Sequence, residues 1–215
     1  MEIYENKVSK YSNINIEIFN KIPSNSLVLD VGCGSGSLGK KLISEKHCKV
    51  YGIDISHKAI DYAKRNIDVA KQVNIEYEMP IFDKKFDVII FGDILEHLQW
   101  PDLILERYKK FLKREGIIIL SLPNVANIRI RFNLLLGKWD YTETGILDNT
   151  HLRFYTKKTI EEMISRNNFK ILSYSFTPGF SFLFFRNNKK IQKLLGNLYP
   201  KLFALQFIYV IRENE

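Results

Sequence analysis

Leu27-Val28-Leu29-Asp30-Val31-Gly32-Cys33-Gly34-Ser35-Gly36 joins an apolar run to three closely spaced glycines. Its first half is a short apolar run of the kind that forms a strand covered on both faces in a parallel sheet. Its second half sets three glycines directly after that strand, where a backbone without Cβ atoms lets a ligand approach closely. Helical patterning follows from about Ser37 to Lys46, then an apolar strand from Val50 to Ile53, then Asp54, about 20 residues beyond the glycines. A carboxylate at the end of a second strand is placed to accept hydrogen bonds from two ribose hydroxyls. The plainer readings are a tight strand-to-helix turn for the glycines and a helix cap for Asp54, a role that Ser56 fills more naturally.

The same alternation extends outward. A helix is expected from Ser56 to about Lys71, a third strand near Ile75 to Tyr77, and a fourth at Phe86 to Phe91. A helix from Pro101 to Lys113, opened by proline and closed by cations, leads to a buried strand from Gly116 to Leu122. Upstream, Val8, Tyr11, Ile14, Ile18 and Ile22 recur at near-helical spacing over residues 8 to 21, ahead of Pro23. After Pro123 the pattern lapses for about 30 residues, too long for an ordinary connection, and a lid or binding loop is expected there. A helix from about Thr156 to Arg166, a strand from Phe169 to Phe176 and a last strand from Leu205 to Arg212 resume it. The tail between them carries Phe180, Phe182, Phe184 and Phe185, which read as core or as an apolar patch, and a basic helix near Lys189 to Leu195.

This order predicts an α/β fold, a Rossmann-like doubly wound, mostly parallel seven-stranded sheet with helices on both faces, in one domain. The expected division is an N-terminal helix (1–24), a cofactor-binding core (25–123), an acceptor lid insert (124–155) and a C-terminal part completing the sheet (156–215). At 215 residues, with 46% hydrophobic and 26% charged residues, the composition is that of a globular protein and excludes disordered and fibrous classes. The longest apolar stretch, Phe203 to Ile211, falls well short of the roughly 20 residues of a spanning helix. Two cysteines, Cys33 and Cys48, and no leader pattern point to a reducing cytoplasm. The formal charge of +8 is uneven: residues 1–121 hold 18 Lys+Arg against 17 Asp+Glu, residues 122–215 hold 14 against 7. A basic second half is either a solvated surface or the side that meets an acidic partner.

The stretch Val28 to Gly36, with acidic Asp30 ahead of the glycines, resembles the first motif of class I S-adenosylmethionine-dependent methyltransferases. Phe86-Asp87-Val88-Ile89-Ile90-Phe91-Gly92-Asp93-Ile94-Leu95-Glu96-His97-Leu98 is similar to that family's fourth-strand motif, and Leu112 to Gly116 to its fifth-strand entry. More narrowly, Ser121 to Asn127 and Asp148 to Thr156 resemble the MetW-like, methyltransferase type 23 branch, often linked to cell-surface sugar pathways. The resemblance implies that S-adenosylmethionine is held by Asp30, Gly32, Gly34, Gly36 and Asp54, with Asp93 on its methionine side. Where the family usually presents a Gly-Asp pair near the adenine, this chain has Asn74 to Asp83, leaving Asn74 and Glu76 as the adenine candidates.

Methyl transfer is an in-line displacement, so a hydroxyl acceptor asks the protein for positioning and for a base. His151 and His97 are the catalytic candidates; each also reads as a structural hydrogen-bonder, and His47 and His57 read as surface residues. Arg129, Arg131 and Arg153 in and beside the insert are candidates to clamp an anionic acceptor, and Trp139, Tyr141 and Phe154 to stack on it; the plain readings are a solvated helix face and core packing. Asp93, Glu96, His97 and His151 could instead close a site for a divalent cation. In this they resemble the ubiquinone-pathway O-methyltransferases and the small-RNA 2′-O-methyltransferases, which carry Glu where this chain has Asp93. The reading that follows is O-methylation of a small acidic or sugar-containing metabolite, such as a nucleotide-linked sugar in surface polysaccharide synthesis, with a homodimer compatible with it. Two alternatives remain: a metal-assisted RNA 2′-O-methyltransferase, against which the lack of an added RNA-binding module counts, and a non-catalytic S-adenosylmethionine-binding regulatory protein.

Overall fold

A computed structural model describes residues 14–179, 194 and 197–214. The strand that opens the glycine motif, β1 (Leu27–Val31), is buried from Val28 onward and lies at the middle of a seven-stranded sheet. Around it run β2 (Lys49–Asp54), β3 (Val69–Gln72), β4 (Phe86–Gly92), β5 (Leu112–Pro123), β6 (Phe169–Pro178) and β7 (Ala204–Glu213), in the order β3-β2-β1-β4-β5-β7-β6. The pairs from β3 to β5 are parallel, and β7 runs antiparallel between β5 and β6.

Burial on both faces explains the apolar strands. Leu29, Val31, Ile89, Phe91, Ile118 and Leu120 point into one core with Ile104, Leu105 and Tyr108 of α4 (Pro101–Tyr108) and Ile160 and Met163 of α6 (Lys157–Arg166). The alternating residues Val28, Val50, Val88, Ile90 and Ile119 point into the other, with Ile18 and Phe19 of α1 (Ile16–Lys21), Leu42 of α2 (Ser37–Lys46) and Ile60 and Ala63 of α3 (His57–Ala63). The period-two alternation of a strand thus feeds two cores, and the sheet is doubly wound as expected. Two further helices, α5 (Ile128–Leu135) and α7 (Pro200–Phe203), lie beyond β5 and before β7. No helix among the described residues is long and apolar enough to cross a membrane.

Several expected boundaries move. The helix expected from Ser56 to Lys71 ends at Ala63, because Val69 to Gln72 pair with Tyr51 to Asp54 as the edge strand β3. That strand has one partner and is largely polar on its open side, so it lacks the apolar run by which a buried strand is read. The third strand expected at Ile75 to Tyr77 is instead a turn, in which the Asn74 side chain accepts from Glu76 N and the Asn74 carbonyl accepts from Tyr77 N and Glu78 N. The N-terminal helix begins at Ile16, capped by the Asn15 side chain, which accepts from Glu17 N and Ile18 N, so Ile14 lies outside it. Val8, Tyr11, the phenylalanines at 180, 182, 184 and 185 and the helix expected near Lys189 to Leu195 lie outside the described residues, apart from Leu194. The insert also holds more regular structure than expected, since α5 forms within it, capped by Asn127, whose side chain accepts from Arg129 N.

Candidate functional site

The order of strands reverses between β1 and β4, and at such a switch point the loops leaving the two strands diverge and open a crevice at their carboxyl ends. A cavity of about 400 Å³ lies there, lined by the glycine turn, the end of β2, the Val73 to Glu76 turn and Gly92 to Leu98 after β4. Gly32 N and Cys33 N both donate to Ile53 O, at 2.8 and 3.0 Å, which ties the turn to β2. Gly32, Gly34 and Gly36 all have positive φ, and their missing Cβ atoms serve different ends. At Gly32 a Cβ would stand 2.0 Å from Ile94 Cδ1, and at Gly36 3.2 Å from Ala63 Cα, so both let protein pack against protein. At Gly34 a Cβ would meet nothing within 4 Å, so this glycine keeps open the space a ligand would fill.

Asp54 is the hinge of the cofactor side. Its Oδ2 accepts from Gly34 N at 2.9 Å and its Oδ1 from Ser56 N at 2.8 Å, while Ser56 Oγ caps α3 by accepting from Ala59 N. The carboxylate is thereby fixed at the cavity wall. Asp30, 5% exposed, also lines the cavity, and burial together with the nearby charge of Asp54 pushes its pKa up to about 7. Asn74 and Glu76 line the opposite end, where Glu76 Oε1 accepts from Gln99 N at 2.6 Å.

Asp93 lines the cavity from a left-handed backbone conformation, φ 56°, which costs an aspartate little. Its N–H donates to Ser121 O, and its Oδ1 accepts from Ser121 Oγ at 3.1 Å and from Gln206 Nε2. Burial raises its pKa to about 6, against the pull of those two bonds. Gln206 in turn accepts from Asn15 Nδ2 at 3.1 Å, so a chain of side chains joins the first described helix, the last strand and Asp93. Ser121, Gln206 and Asn15 were not singled out in the sequence. Ser121 opens the stretch Ser121 to Asn127 that carries the family resemblance, but its place opposite Gly92 comes only from sheet register, and nothing local marks Gln206 or Asn15.

Next to the cavity the structure brings together Glu96, His97 and His151. One ligand atom from each lies within 4.8 Å of the others, the two rings meet edge to face at 4.7 Å, and His151 Nε2 is 3.9 Å from Glu96 Oε1. His151 Nδ1 is 3.1 Å from Ile146 O, and His97 Nδ1 is 3.1 Å from both Thr150 O and Thr150 Oγ1, whose own proton goes to Asp148 Oδ1 at 2.6 Å. A carbonyl oxygen only accepts, so this network assigns the proton to Nδ1 and the lone pair to Nε2 in both rings. Glu96 is 1% exposed and neither carboxylate oxygen has a hydrogen-bond partner among the described residues. Burial, reinforced by Asp93 and Asp148, holds its pKa well above the usual carboxylate range. Leaving it ionised and unpaired would cost several kcal/mol, so the group calls for a shared proton or a cation. The chemistry fits a divalent cation: a buried carboxylate and two imidazole lone pairs, each ring oriented through its other nitrogen by a carbonyl. Asp93 does not join this set, because its carboxylate is turned to Ser121 and Gln206.

The acceptor-side candidates scatter. Arg129 and Arg131 are exposed on α5, and Arg131 Nε donates to Ala126 O at 2.8 Å. Arg153 donates from Nη2 to Gln99 O at 2.8 Å, and Tyr141 is exposed. None of these four lines the cavity. Trp139 packs edge to face on Phe154 at 5.3 Å, and Phe154 packs on His151 at 6.2 Å, so this aromatic pair buttresses the histidine. His47 caps the end of α2 from a left-handed conformation, and His57 is an exposed partner of Asp61.

A glycine turn and a strand-end carboxylate at the switch point of a doubly wound sheet are the features of a nucleotide-cofactor site. Residues 6–174 match the family described as a methyltransferase domain; the chain belongs to that family, is a class I methyltransferase, and takes S-adenosylmethionine as its cofactor. It is similar to a ubiquinone biosynthesis O-methyltransferase of Pelagibacter ubique, at 29% identity over 178 residues, 78% of this chain and 70% of that one. Among solved structures, a SAM-dependent methyltransferase of Thermotoga maritima has a TM-score of 0.69 at 13% identity, with 99% of each chain covered. A magnesium protoporphyrin IX methyltransferase from Synechocystis PCC 6803 with bound SAH has 0.60 at 17%, with 99% of this chain and 84% of that one covered. At these identities the two structures speak for the fold alone.

Proposed function

We propose that this methyltransferase transfers its methyl group to a hydroxyl oxygen of a small molecule, a phenol in the first instance, and that His151, held by Glu96 and His97, takes the hydroxyl proton. The observation that carries the reading is the meeting of Glu96, His97 and His151, of which His97 lines the cofactor cavity and His151 stands directly behind it, ring against ring. As the acceptor oxygen attacks the methyl carbon, the carbon–sulfur bond breaks, its electron pair returns to sulfur, and the hydroxyl proton passes to Nε2 of His151. Charge is thereby conserved: the sulfonium becomes a neutral thioether and the imidazole an imidazolium. Asp54 and Asp30 hold the ribose and the amino acid ends of the donor, and Gly34 leaves room for it. A relative named for ubiquinone biosynthesis supports an O-methyl product. The expectation of an acidic or sugar-containing acceptor loses the arginines on which it leaned, since Arg129, Arg131 and Arg153 stand away from the cavity lining.

A second reading rests on the carboxylate of Glu96, buried without a hydrogen-bond partner. Glu96, His97 and His151 would hold a divalent cation, which would lower the pKa of the acceptor hydroxyl. Steady-state transfer with His151→Ala, and with the parent enzyme under a strong chelator, separates the two. The base reading expects His151→Ala to lose about 10²- to 10⁴-fold in kcat with donor binding within a few-fold of the parent, and chelation to leave the rate unchanged. Loss of activity on chelation, restored by magnesium, would replace it with the cation reading, and full activity in His151→Ala would overturn both.

A further inference from the structure

Gln206 breaks an apolar row. Along β7 the alternate residues Val210 and Ile208 pack in one core with Ile18 and Phe19 of α1, and Gln206 is the next residue on that face. Instead of a hydrocarbon it brings an amide, which bonds to Asn15 and Asp93, and both of these line the cavity.

The direction of every bond in this chain is fixed by chemistry. Asn15 Oδ1 accepts from Glu17 N and Ile18 N, and a backbone N–H can only donate, so Asn15 turns its Nδ2 to Gln206 Oε1 at 3.1 Å. Gln206 is then left to present Nε2 to Asp93 Oδ1, where Ser121 Oγ donates as well. The first turn of α1 thus sets the orientation of an amide on the last strand, and through it that of an acid at the end of β4. Both donors gather on one oxygen of Asp93. Oδ2 has no hydrogen-bond partner among the described residues, on a side chain that lines the cavity. With Asp54 at the end of β2 taking the ribose, the amino-acid end of the donor extends across β1 toward β4, where Asp93 stands.

We propose that Gln206, held by Asn15, is a positioning residue for the donor: it keeps the open oxygen of Asp93 turned to the α-ammonium group of S-adenosylmethionine. This rests on the donor placement given above and is independent of the base assigned to His151. A chain that only fastened α1 to the sheet would support all adenosine ligands alike, whereas a chain that aims Asp93 distinguishes ligands with an amino group from those without one.

The test is calorimetric titration of the full chain, without acceptor, with S-adenosylmethionine, S-adenosylhomocysteine and 5′-methylthioadenosine. The first two carry the ammonium, and the third keeps adenine, ribose and sulfur but has no amino-acid part. Gln206→Met, of similar length and without an amide, is expected to weaken the first two about 10- to 100-fold, the span of one hydrogen bond to a charged group, and to leave the third within about two-fold. Asn15→Ser keeps an oxygen to cap α1 and loses the amide donor, so it shows the same pattern several-fold, and it decides the matter if Gln206→Met does not fold. Equal loss for all three ligands, loss confined to the sulfonium ligand, or unchanged S-adenosylhomocysteine affinity in Asn15→Ser would each overturn the proposal. None of these outcomes bears on His151, and full transfer by His151→Ala would leave the ammonium contact standing.

Discussion

Asp30 is the residue whose protonation should be read out by the cofactor. Its pKa is pushed up to about 7 from an ordinary 3.8 by burial and by Asp54. The donor brings a cationic sulfonium and ammonium, which bind the carboxylate better than the neutral acid. Below pH 7 binding must therefore displace a proton, and above it the carboxylate is already formed. Affinity for S-adenosylmethionine is expected to rise several-fold from pH 6 to pH 8 and to level off above, with the dependence flattened in Asp30→Asn. Calorimetric titration at about pH 6, 8 and 9 checks this, and a flat profile in the parent contradicts it. The sign for stability is the opposite: a raised carboxyl pKa favours the folded state at low pH, and that contribution fades as pH rises from about 4 to 7. The identity of Asp30 and Asp54 as acids beside the glycines was legible in the sequence because strand, turn, helix and strand are contiguous there. Asp93 was legible as an acid at a strand end, but its partners were not. Ser121 and Gln206 stand 28 and 113 residues away, joined to it only by sheet pairing.

At the scale of elements, the insert is held to the sheet by two buried asparagines that hydrophobic periodicity does not reveal. Asn124 Nδ2 donates to Ala204 O at 3.0 Å and Asn127 Nδ2 to the same oxygen at 2.9 Å, while Asn127 Oδ1 caps α5. Replacing Asn127 by alanine removes a helix cap and buried hydrogen bonds, an expected loss of about 2 to 4 kcal/mol. Thermal melting should fall by roughly 5 to 15 °C, and a change within a degree or two would show that the insert is anchored elsewhere. Elements with an apolar run on both faces, β1, β4, β5 and β7, could be read directly because burial dictates composition. The edge strand β3 and helix α5 could not: one is half-solvated, and the other turns its leucines outward, so neither carries the pattern that core packing writes into a sequence.

For the molecule as a whole, doubly wound topology explains why residues at the ends of β1, β2, β3 and β4 line one crevice, at the β1/β4 switch point. The uneven charge takes on a different meaning at this scale. Part of the basic excess of residues 122–215 lies on an exposed helix face rather than in the cavity, so it describes a surface more than an acceptor. What the molecule acts on is therefore tested by the product and not by the charge. Incubation with methyl-labelled S-adenosylmethionine and separate pools of small phenols, nucleotide-linked sugars and short RNAs, followed by mass spectrometry of the labelled species, is the most direct measurement. Label is expected on a phenolic oxygen and is expected to be lost in His151→Ala. Label on nitrogen, label confined to the sugar or RNA pool, or transfer undiminished in His151→Ala would contradict this.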